Sequence, residues 1–242
     1  MIKFFGRIRQ QLLTENKFRK YLKYAIGEIL LVVIGILIAL QINNWNETRK
    51  MDIKEAIYLR DLKTDLEQSQ TSLKRVIQKT DGVAKTIDTL VDLIKINSDA
   101  LTARQIDSLT SGSTGFTVFM PSEGVINDII GSGKLDMIKN NVLRNKVASW
   151  EADLRMIREY ERLGKEDSGK YIEHISKYFD MVNGKYGKPG FFDDMRSEFL
   201  NDHIMTNFMV DMYGNSLTLN ELYHEKSLVL DSLIAIIDKE LE

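Results

Sequence analysis

Residues 24–42 read YAIGEILLVVIGILIALQI, and Ile29 to Leu40 within them are apolar without a break. Nineteen helical residues at about 1.5 Å each cover roughly 28 Å, close to the hydrocarbon thickness of a bilayer. Twelve apolar residues alone would also suit a buried core helix, so the flanks decide. Lys3, Arg7, Arg9, Lys17, Arg19, Lys20 and Lys23 precede the run against Glu15 alone, and Trp45 follows it. Basic residues on the cytoplasmic side and an aromatic at the far interface anchor a span, here Lys20, Lys23 and Trp45. After the apolar core, Ile38 to Trp45 offers no pair of small residues for signal-peptide cleavage. The expectation is an uncleaved signal-anchor over 24–42, with the N-terminus cytoplasmic and the chain beyond it outside. No later stretch offers a second span, because Leu228–Ile237 is short and holds Asp231.

Charge divides the same way. Residues 1–23 carry seven basic groups and one acidic, a net of +6, so the other residues carry -8 of the whole-chain -2. Ile2, Phe5, Ile8 and Leu12 recur at helical spacing among the basic residues, which predicts a short amphipathic helix on anionic headgroups over 1–13, with Thr14 capping the next helix. Inside the span, a step of about 100° per residue puts Glu28, Val32, Gly35, Ala39, Ile42 and Asn46 on one stripe. Gly35-x-x-x-Ala39 admits a second helix, and a carboxyl within a span marks a partner contact. The competing reading is that Glu28, one turn inside the boundary, reaches the headgroups.

No glycine or proline lies between Gly35 and Gly82, so the membrane helix is expected to continue into a long helix over 43–96. Leu59, Leu62, Leu66, Ser69, Leu73, Val76, Thr80, Val83, Ile87, Leu90 and Ile94 form a ladder of period 3.5. It either pairs with a second copy or packs on later helices of its own chain, and the later segments 97–242 favour the second. Asn97–Pro121 reads as loop around a short helix over Thr102–Leu109. Ser122 caps a helix to Ile130, closed by Gly131-Ser132-Gly133, and Asn141 caps another with Leu143, Val147, Trp150, Leu154 and Ile157 on one stripe. Gly164 ends that helix or sits in the turn after it. Tyr171, Ile172, Ile175, Phe179 and Val182 make the next stripe, residues 183–190 are a loop, and Met195–Leu241 is helical with a break near Tyr213-Gly214-Asn215. No alternating run is long enough for a strand. The fold expected is all-α: one N-terminal transmembrane helix continuing into a long helix, then a periplasmic helical bundle.

Two stretches carry a resemblance. Lys23-Tyr24-Ala25-Ile26-Gly27-Glu28-Ile29 through Ile34-Gly35-Ile36-Leu37-Ile38-Ala39-Leu40-Gln41-Ile42-Asn43-Asn44-Trp45-Asn46 resembles the signature of a bacterial single-pass membrane family classed under a domain of unknown function. Ser132-Gly133-Lys134-Leu135-Asp136-Met137-Ile138 and Leu143-Arg144 are similar to it too. The resemblance implies a Gram-negative inner-membrane protein and supplies no activity, ligand or catalytic residue.

The chemistry sought in the remaining residues is sparse. Zero cysteines exclude thiol catalysis, disulfides and thiolate metal sites. Gly131-Ser132-Gly133-Lys134 lacks the glycine and the Ser/Thr of a phosphate loop, where Asp128 and Leu135 stand, and reads as a helix–helix turn. Glu221-x-x-His224 occurs once where a di-iron site needs two, and His174, His203 and His224 lack ligand spacing. Met195, Met205, Met209 and Met212 read as core filler rather than soft metal ligands. No serine-acylation motif occurs, and no basic patch with interleaved aromatics points to nucleic acid. The expected function is non-enzymatic, without cofactor or metal, its partners being anionic lipids and either a second copy or another inner-membrane protein. The rival is a periplasmic ligand-sensing subunit that signals through a partner membrane protein.

Overall fold

The computed structural model describes residues 18–96 and 101–242, and side chains from Leu22 onward apart from Met181. The expected amphipathic helix over 1–13 and the Thr14 cap lie outside the described residues, as does the Lys20 side chain. Helices dominate, and the described residues contain no strand, only an isolated antiparallel bridge between Phe179 and Phe191. The all-helical class holds.

Two compact units divide the chain at Ala56/Ile57, a boundary that falls inside α1, Phe18–Lys95. In the first unit, the α1 side chains from Ile29 to Leu40 are all exposed, Leu31 to 73%. Monomeric soluble proteins rarely expose so long an apolar run, which marks a surface that meets a partner or a membrane. Among the described residues this is the one helix long and apolar enough to cross a membrane, with a mean hydropathy of 2.6 over its best window.

The second unit is built on three long helices: residues 57–95 of α1, α5 (Trp150–Ile175) and α8 (His203–Leu241). Between them in sequence lie α2 (Ala103–Ser113), α3 (Gly124–Gly131), α4 (Asn141–Ala148), α6 (Met181–Lys185) and α7 (Arg196–Leu200). Lys63 pairs with Asp238 and Gln70 with Asp231, so α1 runs antiparallel to α8. Lys226 lies on Trp150 and Asn215 donates to the Tyr160 carbonyl, so α5 is antiparallel to α8 as well. The α1 ladder faces inward, with ten of its eleven members buried and Val83 partly so. The other two helices keep the same alternation of four and three. On α5 the buried positions are 150, 154, 157, 161, 164, 168, 171 and 175; on α8 they run 205, 209, 212, 216, 219, 223, 226, 230, 233 and 237. Sustained 3.5-residue periods on three helices give coiled-coil-like seams that close on each other within one chain.

The core comes in two parts. One joins Leu59–Val76 of α1 to α3, α4, Trp150–Ile157 and Leu219–Ile237; the other joins Ile87–Ile94 to Tyr171, Ile175, Met205, Met209, Met212 and a knot of edge-to-face aromatics, Tyr178, Phe179, Phe191 and Phe199. Between them the seams hold Thr80, Glu161, Gly164, Ser168 and Ser216. A layer of small and polar groups therefore interrupts the apolar stack.

Local corrections have local causes. The helix expected over Thr102–Leu109 is α2, which runs on through Gly112, because a missing side chain there leaves room for Thr86. Thr102 and Gln105 cap it reciprocally as a capping box. Ser122 does not cap α3. Its hydroxyl donates to Asp65 Oδ1 at 2.8 Å, and Asp65 Oδ2 accepts the Val125 N–H at 2.8 Å, so α1 supplies the cap. The α4 cap is Asn140, not Asn141, accepting from the Val142 and Leu143 N–H groups. Gly164 does not end its helix: α5 passes through it, since a Cβ there would strike the Asn215 amide and approach Phe116 to 2.9 Å. Ile172 and Val182 are exposed, so the expected stripe shrinks to Tyr171, Ile175 and Phe179. Residues 183–185 of the expected loop belong to α6, Met181–Lys185. The break in the last third falls at Asn201–Asp202, where Asp202 caps α8, and α8 is continuous through Gly214.

Candidate functional site

The stripe expected within the apolar run comes first in the chain. Glu28, Val32, Gly35, Ala39, Ile42 and Asn46 all lie on α1 and all are exposed, and nothing approaches within 4 Å of a Cβ placed at Gly35. Lys23 and Trp45 are exposed at the two ends, with the Arg49 guanidinium 5.8 Å from the Trp45 ring centre. Residues 26–54 of α1 are exposed on every side, so exposure does not set this stripe apart from the other faces of the helix.

Gly131-Ser132-Gly133-Lys134 is the end of α3. Gly133 has φ +68°, its N–H donates to the Ile130 carbonyl, and the Lys134 N–H donates to the Ile129 carbonyl. That pair of bonds is a Schellman closure, and glycine takes the left-handed position at least cost. The Lys134 ammonium donates to the Tyr58 hydroxyl at 2.6 Å, so the motif ties α3 to α1. Glu221 and His224 are exposed surface groups, while Met205, Met209 and Met212 fill the second core. His174 is the histidine with a built environment. Its Nε2 donates to Asp202 Oδ2 at 2.7 Å, and the same oxygen accepts the Tyr178 hydroxyl at 2.6 Å and the Lys177 ammonium at 3.1 Å. Burial opposes ionisation of Asp202, but these donors and the Met205 N–H outweigh it and hold its pKa well below the carboxylate range.

Three buried polar groups were not singled out as functional from sequence. Glu161 Oε1 accepts the Phe119 N–H at 2.6 Å and the Tyr223 hydroxyl at 2.7 Å. Burial lifts the Glu161 pKa despite those bonds, and burial beside a carboxylate pushes Tyr223 up. Lys226 is 4% exposed at an inward-facing position of α8, and its ammonium has no hydrogen-bond partner. It sits 3.8 Å from the centre of the Trp150 ring, whose N–H donates to Glu123 Oε1 at 2.9 Å. Burial lowers the Lys226 pKa to about 8, against Asp153 and Glu123, which raise it, and alongside Lys146, which lowers it. Lys226 lines an open groove of about 220 Å³ with Lys146, Asp153, Met156, Ile157, Leu222, Glu225 and Val229. The signal was available in sequence as the 4-3 register from Leu219 through Tyr223 and Lys226 to Leu230, which places a lysine inside.

A second, more enclosed space lies in the polar layer. The cavity among Thr80, Gly164, Ser168, Asn215 and Ser216 measures about 20 Å³, enough for one water molecule. Among the described residues no three His, Asp or Glu side chains converge as metal ligands.

Residues 28–186 match the model of DUF6090, a family of unknown function. The chain belongs to this family. The DUF6090 match takes in Glu28 through Asn46, the second motif at Ser132–Arg144, and all of α5, and it ends before α8. No curated protein and no solved structure matches the chain.

Proposed function

We propose that this DUF6090 member is a non-enzymatic, single-pass protein of the inner membrane whose helical bundle lies in the periplasm and serves protein interaction or self-assembly. The uncovered apolar run of α1 carries this reading: lipid is the surroundings in which twelve exposed apolar residues are at rest. Lys20, Lys23 and Trp45 fix its depth, the basic residues before it face anionic headgroups, and the positive-inside rule sets the N-terminus in the cytoplasm. In this account Glu28, Val32, Gly35, Ala39, Ile42 and Asn46 meet a second copy or another inner-membrane protein. The chain needs no cofactor and binds no nucleic acid. Single cysteines introduced along residues 28–46 test the association, in a chain with no native cysteine. Crosslinking that peaks at 28, 35, 39 and 46 supports a homotypic contact, and an even or absent pattern in native membranes removes self-association through this span.

A second reading is favoured by one observation, the groove beside the unpartnered Lys226: a ligand-sensing subunit that signals through a partner membrane protein.

A further inference from the structure

We propose that the outer face of α8 is a self-association seam, along which a second copy of this chain packs its own α8 in parallel and in register. The seam is Val210, Gly214, Leu217, Glu221, His224 and Leu228, all exposed. This deepens the self-assembly reading and rests on it for the parallel sense, since copies anchored in one membrane point the same way.

On α8 the buried positions include 212, 216, 219, 223, 226 and 230. Each seam residue stands two places before one of them, and two helical steps turn about 200°. The seam therefore repeats the inward alternation of four and three on the opposite side of the same helix, the spacing at which two helices interlock. A helix at a bundle surface ordinarily turns polar residues outward. The bundle part of α1 obeys, since between Ile57 and Ile96 the chain exposes no large apolar side chain. The outer face of α8 does not: Val210 is 51% exposed, Leu217 48% and Leu228 70%.

The two polar members point to a second copy as the occupant. Glu221 and His224 sit one turn apart in the seam, and among the described residues neither has a hydrogen-bond or ion-pair partner. A twofold axis along a parallel pair brings Glu221 of each copy beside His224 of the other, so a carboxylate meets an imidazole N–H twice. An apolar partner would strand both groups. Leu217 and Leu228 then cover their own counterparts on either side of this polar pair, which fixes the register as polar residues do in helical pairs. Gly214 has open space where a Cβ would stand, so the two backbones can approach closely there.

The test uses the full chain in native membranes, with single cysteines in a sequence that has none. Residues that face their own counterparts across a parallel seam come within the Cα separation of about 4.4–6.8 Å that a disulfide spans. Mild oxidation should therefore dimerise Val210→Cys, Leu217→Cys and Leu228→Cys in about five-fold higher yield than Lys165→Cys, an exposed position on α5. Adding Glu221→Lys to the Leu217→Cys chain should cut the yield about three-fold, and adding His224→Glu as well should restore it, because the pair is then exchanged rather than lost. Both positions are exposed, so neither change threatens the fold. Yields at 210, 217 and 228 no higher than at 165, no rescue by the exchange, or dimers that form only between co-expressed Leu217→Cys and Leu228→Cys chains would overturn the assignment. Crosslinks at 28–46 with none at 217 and 228 keep self-assembly and remove this seam. Crosslinks at 217 and 228 with none at 28–46 keep the seam and remove the contact through the span.

Discussion

Glu161 on α5 accepts the Tyr223 hydroxyl of α8 at 2.7 Å, inside the polar layer that divides the bundle core. The same carboxylate oxygen accepts the Phe119 N–H, so one side chain satisfies two buried donors from two elements. Removing it strands both.

Glu161→Ala should therefore cost about 2–4 kcal/mol, the combined penalty of two unpaired buried donors. Glu161→Gln keeps an acceptor oxygen in place and should cost about 1 kcal/mol or less. Denaturant unfolding of the two variants checks this. An alanine no worse than the glutamine would mean that the layer is not held by this carboxylate.

Two glycines on the long helices should respond oppositely to alanine. A Cβ at Gly164 meets the Asn215 amide and the Phe116 ring, whereas Gly214 lies on the exposed face of α8 with nothing within 4 Å. Gly164→Ala should destabilise by about 1–3 kcal/mol through overpacking, and Gly214→Ala should stabilise by up to about 1 kcal/mol through helix propensity. Melting temperatures by circular dichroism should move in opposite directions; movement in the same direction contradicts the packing at the layer.

Asp202 ties His174, Lys177 and Tyr178 to the start of α8. Its pKa is lowered in the folded state, so its stabilising effect is full above the ordinary carboxylate range and is lost as the pH falls through the lowered value. Asp202→Asn should be less stable than wild type at pH 7, by about 1–3 kcal/mol, and the gap should close as the pH drops below about 4. A gap independent of pH would show that the charge of Asp202 contributes nothing.

The sequence made some of this legible and hid the rest for a physical reason. The α1 ladder could be read because nine of its eleven members are apolar and only Ser69 and Thr80 interrupt it. On α5 the same period was lost, since Glu161, Gly164 and Ser168 occupy three successive inward positions and none is apolar. Gly164 looked like a helix end because glycine usually breaks helices, yet here its lack of a side chain admits Asn215. On α8, Ser216 and Lys226 broke the apolar pattern in the same way. Asp65 capping α3 from a helix 60 residues earlier is a tertiary contact that no local pattern encodes. The groove at Lys226 was invisible for the same reason: its lining comes from α4, α5 and α8 together.

The central claim is that α1 crosses a membrane and leaves the bundle outside the cytoplasm. It is tested most directly in spheroplasts with Lys3→Cys and Lys165→Cys variants, one cysteine each, a membrane-impermeant maleimide and an alkaline wash of the membranes. The account predicts that the cysteine at position 165 reacts without permeabilisation, that the one at position 3 reacts only after it, and that both chains stay with the washed membrane. The reverse labelling pattern, or release of the chain by the wash, would contradict it.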